Sequence, residues 1–265
     1  MSQRPSFETI QYAVEDNVAI ITLNRPQVMN AINNQLGLEL YEALKRIEQE
    51  KSVRAAMLTG TGRAFCSGQD LADRISLEGE VHLSDHVRER YNLLVAKMQN
   101  LPIPLIAAVN GPAAGAGFGL ALACDLRFAS DAAKFTMAFS KIGLAPDSGT
   151  SYFLSRLAGL GKALEWAWTA EAVSAEEALR FGVVNRIFPA EELLEQTKIF
   201  AARLANGPTL AYALTKRVMY SNFSANLSDA LEREAELQEV AGQSEDFREG
   251  VRAFLEKRPP KYQGR

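Results

Sequence analysis

Gly143-Leu-Ala-Pro-Asp147-Ser-Gly149 sets a single carboxylate in a turn between an apolar strand and the start of a helix. Phe139, Ile142 and Leu144 would raise the pKa of such a carboxyl toward working pH, and the helix start would oppose that shift. The same placement also suits an aspartate that only caps the helix. Two glycine loops, Ser67-Gly68-Gln69 and Gly115-Ala116-Gly117, each follow a strand, and the second opens into a helix whose first N–H groups lack partners. If the loops converge, they can aim backbone donors at a developing oxyanion, each donor worth ~2.7–4 kcal/mol. Glycines that merely allow close packing are the alternative.

The elements that must position these segments are read from hydrophobic periodicity. Val18–Leu23 and Arg54–Thr59 are predicted strands, and Leu36, Leu40, Leu44 and Ile47 give a helix running to about Glu50. Residues 72 to 84 are polar and irregular, and His86 opens an amphipathic stretch to Gln99. Leu105–Val109 is a predicted strand, Asn110 to Gly115 a turn, Ala116 to Ala123 a short apolar helix and Leu126 to Ala129 another strand. From Ser151 onward helix follows helix, broken by a predicted strand at Val183–Ile187 and a stop at Asn206-Gly207-Pro208. The last segment, Ser244 to Lys257, puts Phe247, Val251, Phe254 and Leu255 on one face, to cover its own core or a neighbour's. This recurrence of strand, turn and helix predicts an α/β protein.

Composition excludes other classes. The 265 residues are 47% hydrophobic and 23% charged, within the globular range, and a net charge of -3 offers no basic excess for nucleic acid. Cys66 and Cys124 suit neither a zinc site nor a disulfide framework, and the first residues lack the apolar core of a secretory signal, so a complete, cytoplasmic chain is expected. Met98 to Cys124 is uncharged and longer than the ~18 residues that nominate a membrane span. Its prolines and glycines instead predict strand, turn and buried helix, so no membrane partner is expected. His82 and His86 have no third metal ligand beside them. Asp70 and Asp125 read as turn stabilisers, Cys66 as pocket lining, and Trp166 and Trp168 as core or subunit contact.

There is no Gly-x-Ser-x-Gly elbow, Walker loop or His-Glu-x-x-His, and Leu120 spoils a dinucleotide fingerprint at Gly115-Ala-Gly117-Phe-Gly119. Leu23-Asn-Arg-Pro26 with Met29-Asn-Ala31, Leu58 to Leu71, and Ala108 to Gly117 through Cys124-Asp125 resemble the crotonase superfamily of enoyl-CoA hydratases and isomerases, over nearly the whole chain. The resemblance implies a crotonase-type spiral of repeated β-β-α turns over residues 1–205, which binds an acyl-CoA and carries out catalysis. It also implies a helical C-terminal region, 206–265, for oligomerisation and pocket cover.

Carried over by position, the oxyanion-hole N–H groups fall on Gln69 and Ala116, and the acid/base of the isomerases falls on Asp147. Substrate contacts fall on Arg25, Val28, Ala64, Ser67, Gly68, Gln69, Asp70, Leu71 and Gly115, with Phe254 and Lys257 reaching the coenzyme A of an adjacent subunit. The two glutamate positions of the hydratases hold Gly119 and Phe139, neither of which moves a proton. Phe135 to Asp147 and Gly242 to Phe254 are similar to the ring-epoxide acyl-CoA isomerases of the superfamily, although Thr150 replaces a usual glycine. The expectation is therefore isomerisation, with hydration or a non-catalytic acyl-CoA binder as alternatives. It involves a homotrimer or homohexamer and no cofactor or metal, coenzyme A entering as part of the substrate.

Overall fold

The computed structural model describes residues 7–72 and 82–265. The strands are β1 Ile10–Glu15, β2 Val18–Leu23, β3 Ala55–Gly60, β4 Leu105–Val109, β5 Ala113–Ala114, β6 Leu126–Ser130, β7 Lys134–Thr136, β8 Val173–Ser174 and β9 Arg186–Phe188. β1 and β2 form an antiparallel hairpin whose turn, Asp16-Asn17, has φ of 50° and 62°, the paired left-handed geometry that matches strand twist. Parallel pairing then extends a six-stranded sheet in the order β1-β2-β3-β4-β6-β9.

A second, smaller sheet runs β5-β7-β8, and the bridges Ile32↔Gln69 and Cys66↔Ala113 continue its line into the earlier turns of the chain. Each pass of the chain thus leaves one strand in the large sheet and one short extended piece beside the small one, which is the expected spiral. Both glycine loops lie on that second line.

The helices are α1 Asn34–Gln49; α2, composed of Leu83–His86, a π turn Val87–Asn92 and Leu93–Asn100; α3 Ala116–Ala123; α4 Thr150–Ala158; and α5 Leu160–Thr169. There follow α6 Ala175–Arg180, α7 Leu193–Ala205, α8 Thr209–Asn222, α9 Leu227–Gly242 and α10 Glu245–Leu255. α1 forms where expected: Asn33 caps it by accepting from Leu36 N at 2.9 Å, and Leu36, Leu40, Leu44 and Ile47 are buried. α1, α2 and α3 cover one face of the large sheet, and Ala201 and Ala205 of α7 pack on the other with Met57, Ile106 and Phe128. Burial on both faces explains why these strands read as continuous apolar runs.

Met98 to Cys124 resolves into the end of α2, β4, β5 and the fully buried α3, and among the described residues no helix is long and apolar enough to cross a membrane. Four strands escape the sequence reading: β7 is three residues long, and the apolar stretch expected as a strand before Gly143 is instead a 3-10 turn at Ala138–Ile142. β1 is an edge strand with one wet face, while β5, within the expected turn, and β8 are two residues each. The strand predicted at Val183–Ile187 begins three residues later, at Arg186, and ends at Phe188, because Val183 N and Val184 N both bond Ala178 O at the end of α6.

α8 is fastened to the core by a buried polar cluster. Lys216 Nζ lies 2.9 Å from Asp125 Oδ2 and donates to Met98 O, Tyr220 donates to Asp125 Oδ1, and Leu105 N donates to Asp125 Oδ2. Burial pushes the Asp125 carboxyl up against the opposing pull of Lys216, and raises the Tyr220 hydroxyl to about 12. Asp125 is thus structural, as the sequence suggested. α10 exposes Phe247, Val251, Phe254 and Leu255, so its apolar face does not cover this chain's own core.

Candidate active site

The Ser67-Gly68-Gln69 loop is held from both sides. Ser67 N bonds Met29 O, Ile32 N bonds Gly68 O at 2.7 Å, and Asp70 N bonds Ile32 O at 2.9 Å. In this parallel pairing the flanking peptides face Ile32, so the N–H of Gln69 itself points to the opposite side. Gly68 has φ +96°, and a Cβ there would meet Ala114 O at 2.7 Å and Ala116 N at 3.4 Å. Only glycine satisfies both the turn and the approach. The two glycine loops therefore converge, as the oxyanion-hole reading required.

The second loop ends at Gly115, whose N–H bonds Thr136 O of β7, and α3 begins at Ala116. The first main-chain bond within α3 runs from Gly119 N to Gly115 O, and among the described residues neither Ala116 N nor Gln69 N has an acceptor. The positive end of the α3 dipole adds to these donors. Cys66 lies fully buried directly before the loop, donates to Asn30 O, and is pushed by burial up to about 12, so it stays a thiol that packs without attacking.

Asp147 lies in the turn that leads into α4. Its main-chain oxygen accepts from Thr150 N and Thr150 Oγ1, and its carboxylate accepts from Ser148 Oγ at 2.7 Å. The N-cap of α4 is Gly149, two residues after Asp147. Asp147 is half-buried, Phe139 is buried and Leu144 packs on the core, but Ile142 is 54% exposed and does not enclose the site as expected.

What places the turn is Gly119: a Cβ at this position would lie 2.7 Å from Ser148 Cβ, 2.9 Å from Ser148 O and 3.1 Å from Thr150 Cγ2. The turn carrying Asp147 thus rests on the bare backbone of α3, three residues or about 4.5 Å along the axis from Ala116. Gly119 is a seat for the turn, a role its type alone did not disclose.

Other residues singled out in the sequence fall around this centre. Arg25 pairs with Asp70 at 2.9 Å and donates to Ala31 O, tying the turn at Pro26–Val28 to the Ser67-Gly68-Gln69 loop. Val28 O accepts from Ser67 Oγ, Ala64 is buried with its carbonyl bonded by Asn30, and Leu71 is 44% exposed beside the loop. Phe254 and Lys257 are exposed at the end of α10, away from these loops in sequence and packing. Sequence reasoning missed the hub at Asn30, quoted only within a motif. Buried and at φ 56°, it accepts from Arg25 N and donates to Thr61 O, Ala64 O and Phe65 O.

The profile of the enoyl-CoA hydratase/isomerase family matches residues 13–265. The chain belongs to this family. A Rhodobacter capsulatus protein described as a probable enoyl-CoA hydratase is 46% identical over 98% of this chain and 100% of its own length. The 1,2-epoxyphenylacetyl-CoA isomerase of Escherichia coli is 42% identical over 97% of this chain and 99% of its own. The crystal structure of an enoyl-CoA hydratase from Bacillus anthracis superposes with a TM-score of 0.91 at 33% identity, covering 97% of this chain and 100% of that one. The spiral is thus the crotonase fold, and the enoyl-CoA hydratase/isomerase family supplies the frame in which the converging amides and Asp147 are to be understood.

Proposed function

We propose that the protein isomerises an acyl-CoA thioester, of the ring-epoxide or the 3-enoyl to 2-enoyl type, by moving one proton. The thioester oxygen accepts from Gln69 N–H and Ala116 N–H. The Asp147 carboxylate takes a proton from the carbon next to the carbonyl or its vinylogue, becoming a carboxylic acid as the C–H electron pair moves into the enolate. The two amides stabilise that enolate more than the neutral ester, which is what lowers the barrier. The acid then returns its proton to a different carbon, so no water and no cofactor is consumed.

The observation that supports this reading is the contact of Gly119 with Ser148, the residue after Asp147, three positions along α3 from Ala116. It also leaves residue 119 without the carboxylate a two-glutamate hydratase needs, and Phe139 occupies the other such position. Exposed Leu160, Trp168, Phe254 and Leu255 support assembly into a trimer or hexamer, in which Phe254 and Lys257 meet the coenzyme A of a neighbour.

Incubation of a 3-enoyl-CoA in D₂O tests the reaction, with deuterium gain and a shifted double bond expected. Asp147→Asn should abolish both and keep thioester binding. Gain of labelled oxygen from H₂¹⁸O by a 2-enoyl-CoA, undiminished in the Asp147 variant, would instead establish hydration.

A further inference from the structure

The side chain of Gln69 is not idle. Its Nε2 lies 3.1 Å from Nε2 of His86, 17 residues further along the chain. With the amide donating, the imidazole accepts at Nε2 and carries its proton at Nδ1. The ring of His86 is itself steadied, edge-on to Tyr91 with centroids 5.6 Å apart, and Tyr91 is buried. That pairing depends on the π turn of α2, which starts directly after His86: its i to i+5 spacing brings residue 91 over residue 86. Gln69, His86 and Tyr91 together line a cavity of about 230 Å³ between α1 and α2, closed on the α1 side by Leu38 and Tyr41.

We infer that His86 is a positioning residue for the oxyanion hole, holding Gln69 so that its N–H stays aimed at the thioester oxygen. The backbone bridge to Ile32 restrains the peptides on either side of Gln69, but Gly68, at φ +96°, is a soft joint next to it. A second anchor on the side chain removes the remaining rotation. The tie also fixes α2, a wall of the site, to the loop it faces. Imidazole is suited to this because it offers a rigid acceptor and packs its apolar edge on Tyr91. The inference rests on the assignment of Gln69 N–H to the thioester oxygen and is independent of what Asp147 does.

The test uses the full chain with His86→Phe, which keeps a ring against Tyr91 and removes the acceptor, and Gln69→Met, which removes the donor and keeps the backbone N–H. The primary readout is the infrared carbonyl stretch of bound hexanoyl-CoA labelled with ¹³C at the thioester carbon, which moves to lower wavenumber when two donors polarise it. We expect a clear downshift in the wild type and in Asp147→Asn, and a smaller one in either His86→Phe or Gln69→Met. The double variant should be no worse than the singles, since they break one contact.

Where deuterium exchange is active, kcat should fall about tenfold in each single variant with KM nearly constant, the pattern of a misaligned donor and not of lost binding. His86→Asn, which restores an acceptor, should recover part of the downshift. An unchanged downshift in His86→Phe overturns the inference, as does loss in the double variant equal to the product of the singles. A full downshift without any shift of the double bond leaves the role of His86 standing and overturns the isomerase reading. No downshift in the wild type overturns both.

Discussion

Replacing Gly119 by alanine adds one methyl group at the point where α3 carries the Asp147 turn. The new Cβ would stand 2.7 Å from Ser148 Cβ, 2.9 Å from Ser148 O and 3.1 Å from Thr150 Cγ2, against a carbon–carbon optimum of ≈ 3.5–4.0 Å. Ser148 must therefore retreat by about 1 Å, and it cannot do so by turning a flexible side chain, because its own Cβ and main-chain oxygen are the obstacles. Overpacking of this kind costs about 1–3 kcal/mol, which in a chain of this size lowers Tm by roughly 2–12 °C. A 1 Å displacement of a catalytic group costs up to about 10²-fold in rate. Gly119→Ala should thus lower kcat for deuterium exchange by between about tenfold and a hundredfold, with acyl-CoA affinity largely kept, since Gln69 and the coenzyme contacts are untouched. Gly161→Ala in α5, with nothing within 4 Å of its Cβ, is the control, and should gain about 0.5–1 kcal/mol. Adding Ser148→Gly to Gly119→Ala removes the tightest contact at a residue already at φ 53°, and should return much of the lost Tm. A Gly119→Ala enzyme with wild-type kcat would refute the claim that this glycine seats the acid.

Two further perturbations address the C-terminal helices. Lys216→Met should cost about 3–5 kcal/mol in urea unfolding, because it leaves the Asp125 carboxylate buried without its cation; Asp125→Asn in the same chain should recover a good part of that. Glu249 accepts from the two terminal guanidinium nitrogens of Arg258, at 2.6 and 3.0 Å, and from Lys261 N, and the Arg258 hydrogen bonds hold its pKa down to about 2. A depressed carboxyl stabilises above the ordinary glutamate range and loses that contribution as pH falls toward 2. Amide exchange over residues 258–265 should therefore be flat from pH 7 to 5 once corrected for intrinsic rates, and rise below about pH 4. Glu249→Gln should remove that acid-dependent rise.

The parts of the proposed site visible in the sequence are those whose residue type already suggests the role. Gly68 and Gly115 lie in loops that follow predicted strands; Asp147 is a carboxylate beside a helix start. Local pattern was enough for α1, β2 and α3 as well, since each buries a continuous face and so writes its period into the chain. The short strands of the second sheet bury too few residues to show a period, although they carry the loops into register.

The residues that were missed have roles set by a partner distant in sequence. Asn30 reads as a turn residue until Ala64 O and Phe65 O come within reach of its amide, and His86 reads as the start of an amphipathic helix until a π turn and Gln69 meet it. Gly119 makes the point most sharply. Seen as a sequence position it is an absent glutamate, which suggests only lost chemistry. In the fold the missing side chain is the space into which Ser148 fits, so within this backbone a carboxylate at 119 and the observed seat of Asp147 exclude one another. On that argument a glutamate introduced at 119 would displace the turn that carries Asp147 before it could supply a water-activating base.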